Sequence, residues 1–169
     1  NLLHFTVLSH SKIMQLDLFE QMIIDSVVYL NETCTFFREH DSFYIEFPQT
    51  FQVGALHKVR VYYHGSPIEA LNPPWDGGFV WEKDKKGRPF ISVACEGDGA
   101  GLWWPLKDHI ADEPDDGATM TFTVPKELYC VSNGRLIDVS TDSINEKKTF
   151  TWTVNNPINN DPTKINTMN

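Results

Sequence analysis

The chain has 169 residues, 14 Lys and Arg against 23 Asp and Glu, and a formal charge of -9. That length accommodates one domain with a sizeable core, since folded chains of this size bury roughly 70% of their unfolded surface. The charge excludes phosphate-backbone binding as a main role: no basic run exceeds Lys85-Lys86, so nucleic acid would meet repulsion instead of releasing counterions. No apolar run approaches the roughly 20 residues of a membrane-spanning helix.

In chain order, residues 14–18 alternate apolar and polar, and residues 22–30 are apolar and β-branched, as in strands with at least one face on a core. A turn is expected at 31–33. Strands at 34–38 and 43–47 flank a hairpin turn at 39–42. Residues 57–64 place Val59, Val61 and Tyr63 on one face and Lys58, Arg60 and Tyr62 on the other, the alternation of a half-solvated antiparallel strand. Residues 79–81 and 90–95 form a second hairpin around Asp84-Lys85-Lys86-Gly87. Strands at 119–124 and 149–154 point Met120, Phe122 and Val124, and then Phe150, Trp152 and Val154, inward, with a tight turn at Asn133-Gly134. Single helical turns fit only 106–111 and 126–128, the first fenced by Pro105 and Pro114. Strands spaced at about 8 to 12 residues indicate an all-β, antiparallel β-sandwich, read as one domain over 1–169.

Chemistry concentrates in residues 74–116, which hold four of the five tryptophans, Trp75, Trp81, Trp103 and Trp104, and are dense in Gly, Pro and acids. Such side chains either fill a core or are displayed for recognition. Gly97-Asp98-Gly99-Ala100-Gly101 is no phosphate cradle, because neither a Lys-Ser/Thr pair nor a helix start follows. His109 with Asp108, Asp112 and Glu113 could ligate a divalent ion, but solvated loop acids look the same. Asp112 and Glu113 are better read as caps of local amides or partners of Lys107, within a segment whose backbone is fixed by two prolines. None of the six histidines forms H-E-x-x-H, there is no G-x-S-x-G, and Cys95 has no evident His partner, so no catalytic residue is assigned. The three cysteines, an odd number at wide spacing, read as small buried hydrophobes.

Taken together, PPWDGGFVW, ISVACEGDGAGLWWPLKDHIADEPDD, TFTVPKELYCVSNGRL and TFTWTVNNPIN resemble the N-terminal domain of the aminopeptidase N family of zinc metallopeptidases, particularly its bacterial members. The resemblance runs over about residues 15–160. It implies a saddle-like β-sandwich, a fragment of a longer chain that continues into a catalytic domain carrying the zinc, H-E-x-x-H and the G-x-M-E-N exopeptidase motif. Gly117-Ala118-Thr119-Met120 lacks the Glu-Asn of that last motif. The partners implied are that catalytic domain and a peptide with a free amino terminus. By the same resemblance Glu96, directly after Cys95, binds the α-amino group of the peptide, and Gly97 and Gly99 shape the cleft loop beside it. A carbohydrate-binding sandwich with the four tryptophans as a stacking platform is the alternative, and a sandwich without ligand a third.

Overall fold

The computed structural model describes residues 1–95, 97–109 and 111–156, and among them the fold is all-β with antiparallel strand pairing. The chain forms two compact units, one of residues 1–67 and 100–108, the other of residues 68–99 and 109 onward.

The first unit is a six-stranded sheet. Its strands are β1 (Leu2–Thr6), β2 (Ile13–Asp17), β3 (Met22–Tyr29), β4 (Glu32–Glu39), β5 (Ser42–Glu46) and β6 (Leu56–Gly65), in the order β1-β6-β3-β4-β5-β2. β4 changes partner along its length: Glu32 to Cys34 face β3, whereas Thr35 to Glu39 face β5. That switch, with a bulge in β3 between Ile24 and Ser26, adds to the normal strand twist and curls the sheet into a half-barrel. Residues Leu16, Leu18, Val27, Phe43, Ile45, Phe47, Val59 and Val61 fill the core, each at most 2% exposed. The alternation expected of 57–64 is the one seen, with Val59 and Val61 buried and Tyr63 packed against the same core. The β3–β4 turn sits one or two residues earlier than expected, on Leu30 and Asn31, both at positive φ, so the strand begins at Glu32.

Residues 100–108 complete this unit instead of forming a helix. The Asp17 and Leu106 amides donate to each other's carbonyls at 2.8 and 3.2 Å, and Phe19 N donates to Gly101 O at 2.7 Å. The backbone groups of Leu106 are thus committed to the free edge of β2, which is why the helical turn expected at 106–111 does not start there. The Asn1 side chain donates to Pro105 O at 2.7 Å. A single 3-10 turn at Ala100–Leu102 precedes this segment.

The second unit contains the hairpin of β7 (Gly78–Lys83) and β8 (Pro89–Ala94) and a three-stranded sheet of β9 (Ala118–Pro125), β10 (Arg135–Asp142) and β11 (Lys147–Val154), ordered β10-β11-β9. β9 and β11 stay in register from Lys147 opposite Pro125 to Val154 opposite Ala118. One face packs Val124, Leu128, Cys130 and Phe150 with Ile91, Phe122 and Trp152. The other carries a ladder of threonine pairs, with Oγ1 atoms 3.3, 3.4 and 2.9 Å apart for 119/153, 121/151 and 123/149. Residues 126–128 form only a reverse turn, closed by Leu128 N to Pro125 O at 2.9 Å. All three cysteines are buried and none is in a disulfide, as expected of small apolar side chains.

Candidate functional site

The central stretch begins where the backbone of Ile68 to Ala70 runs beside β7: Phe79 N donates to Ile68 O at 2.8 Å and Ala70 N to Phe79 O at 3.0 Å. This close pass dictates Gly78, where a Cβ would lie 2.5 Å from the Ala70 nitrogen. Before it, the Pro73-Pro74 bond is cis, and the Trp75 and Asp76 amides both donate to Asn72 O, at 3.0 and 3.2 Å. The hairpin tip is fixed by Asp84, which accepts the Lys86 and Arg88 amides at 2.8 and 2.9 Å and the Arg88 guanidinium at 2.7 Å. These bonds, led by the Arg88 amide, hold the Asp84 carboxyl below its ordinary range.

At the end of β8 lies the loop singled out by the sequence. Cys95 is fully buried and anchors it, and Gly99 N donates back to Cys95 O at 3.0 Å. Asp98 turns the other way and accepts the Gly77 amide at 2.9 Å, tying the loop to the segment that leads into β7. Gly97 and Gly99 both adopt left-handed backbone, with φ of +82° and +74°. Gly97 is exposed, and a Cβ built on it would meet nothing within 4 Å. Glu96, the residue assigned to the amino group, lies outside the described residues. The structure therefore gives the frame of this loop: a buried thiol, a backbone closure, an aspartate tie and an open glycine.

The four tryptophans have different fates. Trp75 and Trp81 are 69% and 55% exposed, the second stacked on buried Phe79 at 5.7 Å between ring centroids. Trp103 and Trp104, in the first unit, are half-buried and stacked on each other at 4.8 Å. Each thus spends one ring face on the other. Exposed aromatic surface in the 74–116 stretch is therefore concentrated at Trp75 and Trp81.

Around His109, the Ala111 amide donates to the ring Nδ1 at 3.2 Å and the Asp112 amide to the His109 carbonyl at 2.8 Å. Nδ1 is thereby occupied as an acceptor within a local turn. Among the described residues no group of three His, Cys, Asp or Glu side chains is placed to hold a metal ion.

These features define an antiparallel β domain with a built loop at the end of one hairpin. No family model matches the sequence, and none of the curated proteins does. Among solved structures, the chain is similar to the M1 zinc metallopeptidase from Deinococcus radiodurans, with 17% identity and a TM-score of 0.81, over 99% of this chain and 36% of that one. It is similar also to a mutant of the Deinococcus radiodurans enzyme bound to a Tyr-Ser-Ala substrate, at 19% identity and a TM-score of 0.78, covering 99% and 37%. A two-domain M1 zinc metallopeptidase mutant bound to L-arginine gives 18% identity and 0.81, covering 99% and 36%. The fold is that of the N-terminal domain of these enzymes, and the chain spans little more than a third of their length.

Proposed function

We propose that this chain is the N-terminal accessory domain of a zinc aminopeptidase, in which the loop after β8 forms part of the substrate cleft and Glu96 takes the free α-amino group of the peptide. The observation that supports this reading is the fold match over 99% of the chain to one part, 36%, of a zinc metallopeptidase. On this reading zinc is held by a separate catalytic domain: the sequence has no H-E-x-x-H, and the solved structures similar to it are zinc metallopeptidases.

The loop chemistry suits the role given to it. A carboxylate accepts hydrogen bonds and donates none, so it pairs with an ammonium group and is left unsatisfied by an acylated or internal peptide. Gly97, next in sequence, has left-handed backbone and nothing within 4 Å of a Cβ built on it, an opening that suits the first residue of a substrate. In the enzyme formed with the catalytic domain, Glu96→Ala should lower kcat/KM for peptides with a free amino terminus by roughly 10 to 150-fold, the equivalent of one charge-assisted hydrogen bond. Unchanged turnover and unchanged preference for a free amino terminus, in a folded variant, would remove Glu96 from the site.

A further inference from the structure

None of the 23 acidic residues falls within residues 1–16 or 47–68, the stretches that build β1, β6 and the loops between them and their neighbours. The same stretches carry Lys12, Lys58, Arg60 and four of the six histidines. In a chain of charge -9 this is a pronounced separation of sign.

The fold brings these stretches together in the first unit. The 7–13 and 47–55 loops are joined by Val7 N to Ala55 O at 3.0 Å, Gly54 N to Val7 O at 2.8 Å, and Phe51 N to Ser11 O at 2.8 Å. From this end of the sheet Leu8, Val53 and Leu56 project into solvent at 82%, 56% and 78% exposure, although Val7 and Phe51 beside them are buried. Along the adjoining outer face of β1 and β6 stand Leu2, His4, Lys58, Arg60 and Tyr62, with Lys58 opposite His4 and Arg60 opposite Leu2. Acids border this area at two places: Glu46 on β5 stands opposite Ile13, next to Lys12, and accepts from Thr35 at 3.1 Å, and Asp25 on β3 meets His64 Nδ1 at 2.8 Å at the far end of β6, whereas β1, β6 and the 47–55 loop themselves carry none.

We infer that this end of the first unit is a docking surface for an anionic lipid bilayer, with Leu8, Val53 and Leu56 entering the headgroup boundary and Lys12, Lys58 and Arg60 meeting lipid phosphates and carboxylates. Aliphatic side chains flanked by cations and an interfacial tyrosine are the chemistry such a surface takes. Acids farther off do not cancel Lys58 and Arg60, because at about 0.15 M salt charges farther than about 8 Å are largely screened. This surface shares no residue with the peptide loop, so it stands or falls separately from the peptidase reading.

Sedimentation of the 169-residue chain with vesicles of phosphatidylcholine and phosphatidylserine in a two-to-one ratio, against phosphatidylcholine alone, tests it. The expected result is binding to the mixed vesicles that weakens with salt. It should fall at least about tenfold in the Leu8→Ser, Leu56→Ser double variant and about fivefold for each of Lys12→Gln and Lys58→Gln. All these side chains are exposed, and circular dichroism should show an unchanged fold. No binding to either vesicle, or binding indifferent to the two leucines, would overturn the proposal. Capture by polyglutamate-coated beads without vesicle binding would do so too, and would assign the face to an acidic protein.

Discussion

Gly78 and Gly97 show one residue type used for opposite reasons. At Gly78, with φ of +142°, an added methyl would meet the Ala70 nitrogen at 2.5 Å and the Glu69 carbonyl carbon at 2.8 Å, both backbone atoms that cannot step aside. At Gly97 the space is empty, and only the left-handed φ opposes a side chain. Gly78→Ala should therefore cost about 2 to 3 kcal/mol in denaturant unfolding, overpacking and strain together, and Gly97→Ala only about 1 kcal/mol. If the two cost the same, the close pass of Ile68 to Ala70 is not what requires Gly78. On the cleft reading, Gly97→Ala should nevertheless lower peptide turnover more than its small stability cost explains. Titration provides a second check at this scale. Burial pushes the Tyr63 phenol from its ordinary 10 to about 12 and the Cys130 thiol from 9 to about 11. Each group keeps its proton in the folded chain at pH values where the unfolded chain has released it. Their contribution to stability is whole below the unfolded values and is lost as pH rises through the folded ones, between about 9 and 12 for the pair. Ultraviolet phenolate titration should show Tyr63 ionising last or only on unfolding, and Cys130 should resist alkylation until denaturant is added.

Elements with strict alternation were legible in the sequence, because a face that must be buried leaves a period-two trace. β6 shows this in Val59, Val61 and Tyr63, and β9 and β11 show it in Met120, Val124, Phe150 and Val154. β10 was not legible: RLIDVSTD is exposed at all eight positions and bulged between Leu136 and Asp138, so no buried face imprints a pattern. β1 was missed because its exposed face carries Leu2 next to the half-buried Leu3 and Phe5, which blurs the alternation. The helical turn at 106–111 failed because the Leu106 backbone is claimed by Asp17, far away in the chain. At the site, the glycines and the buried cysteine could be read from composition. The Asp98 to Gly77 tie could not, because it joins loops 21 residues apart. The small core of the second unit offers a test: Phe150 is fully buried between β9 and β10, beside Leu128 and Cys130. Phe150→Ala should cost about 3 to 5 kcal/mol, whereas Val139→Ala on exposed β10, directly opposite it, should cost well under half of that. Equal losses would mean that β10 buries more than its exposure indicates.

On the scale of the whole molecule, the proposed accessory role turns on the metal. Zinc hydrolases hold the ion with three protein ligands and leave a position for water, whose pKa the ion lowers toward neutrality. Six histidines are available here, but no two stand four apart around a glutamate, and His64 on β6 meets the Asp25 carboxylate at 2.8 Å as a pair. The described residues bring no three donor side chains together, and His109, the histidine closest in sequence to the acid cluster, uses Nδ1 to accept the Ala111 amide. On the proposed reading, the Glu96 carboxylate recognises an amino terminus and activates no water by itself. The 169-residue chain, dialysed against zinc and freed of excess ion, should hold less than one equivalent by elemental analysis and release no product from an aminoacyl anilide. Mixed with the catalytic domain of a zinc metallopeptidase of this architecture, it should change the preference for free over acylated termini without changing zinc content. Metal-dependent turnover by the chain alone would place the catalytic apparatus here and contradict the accessory role.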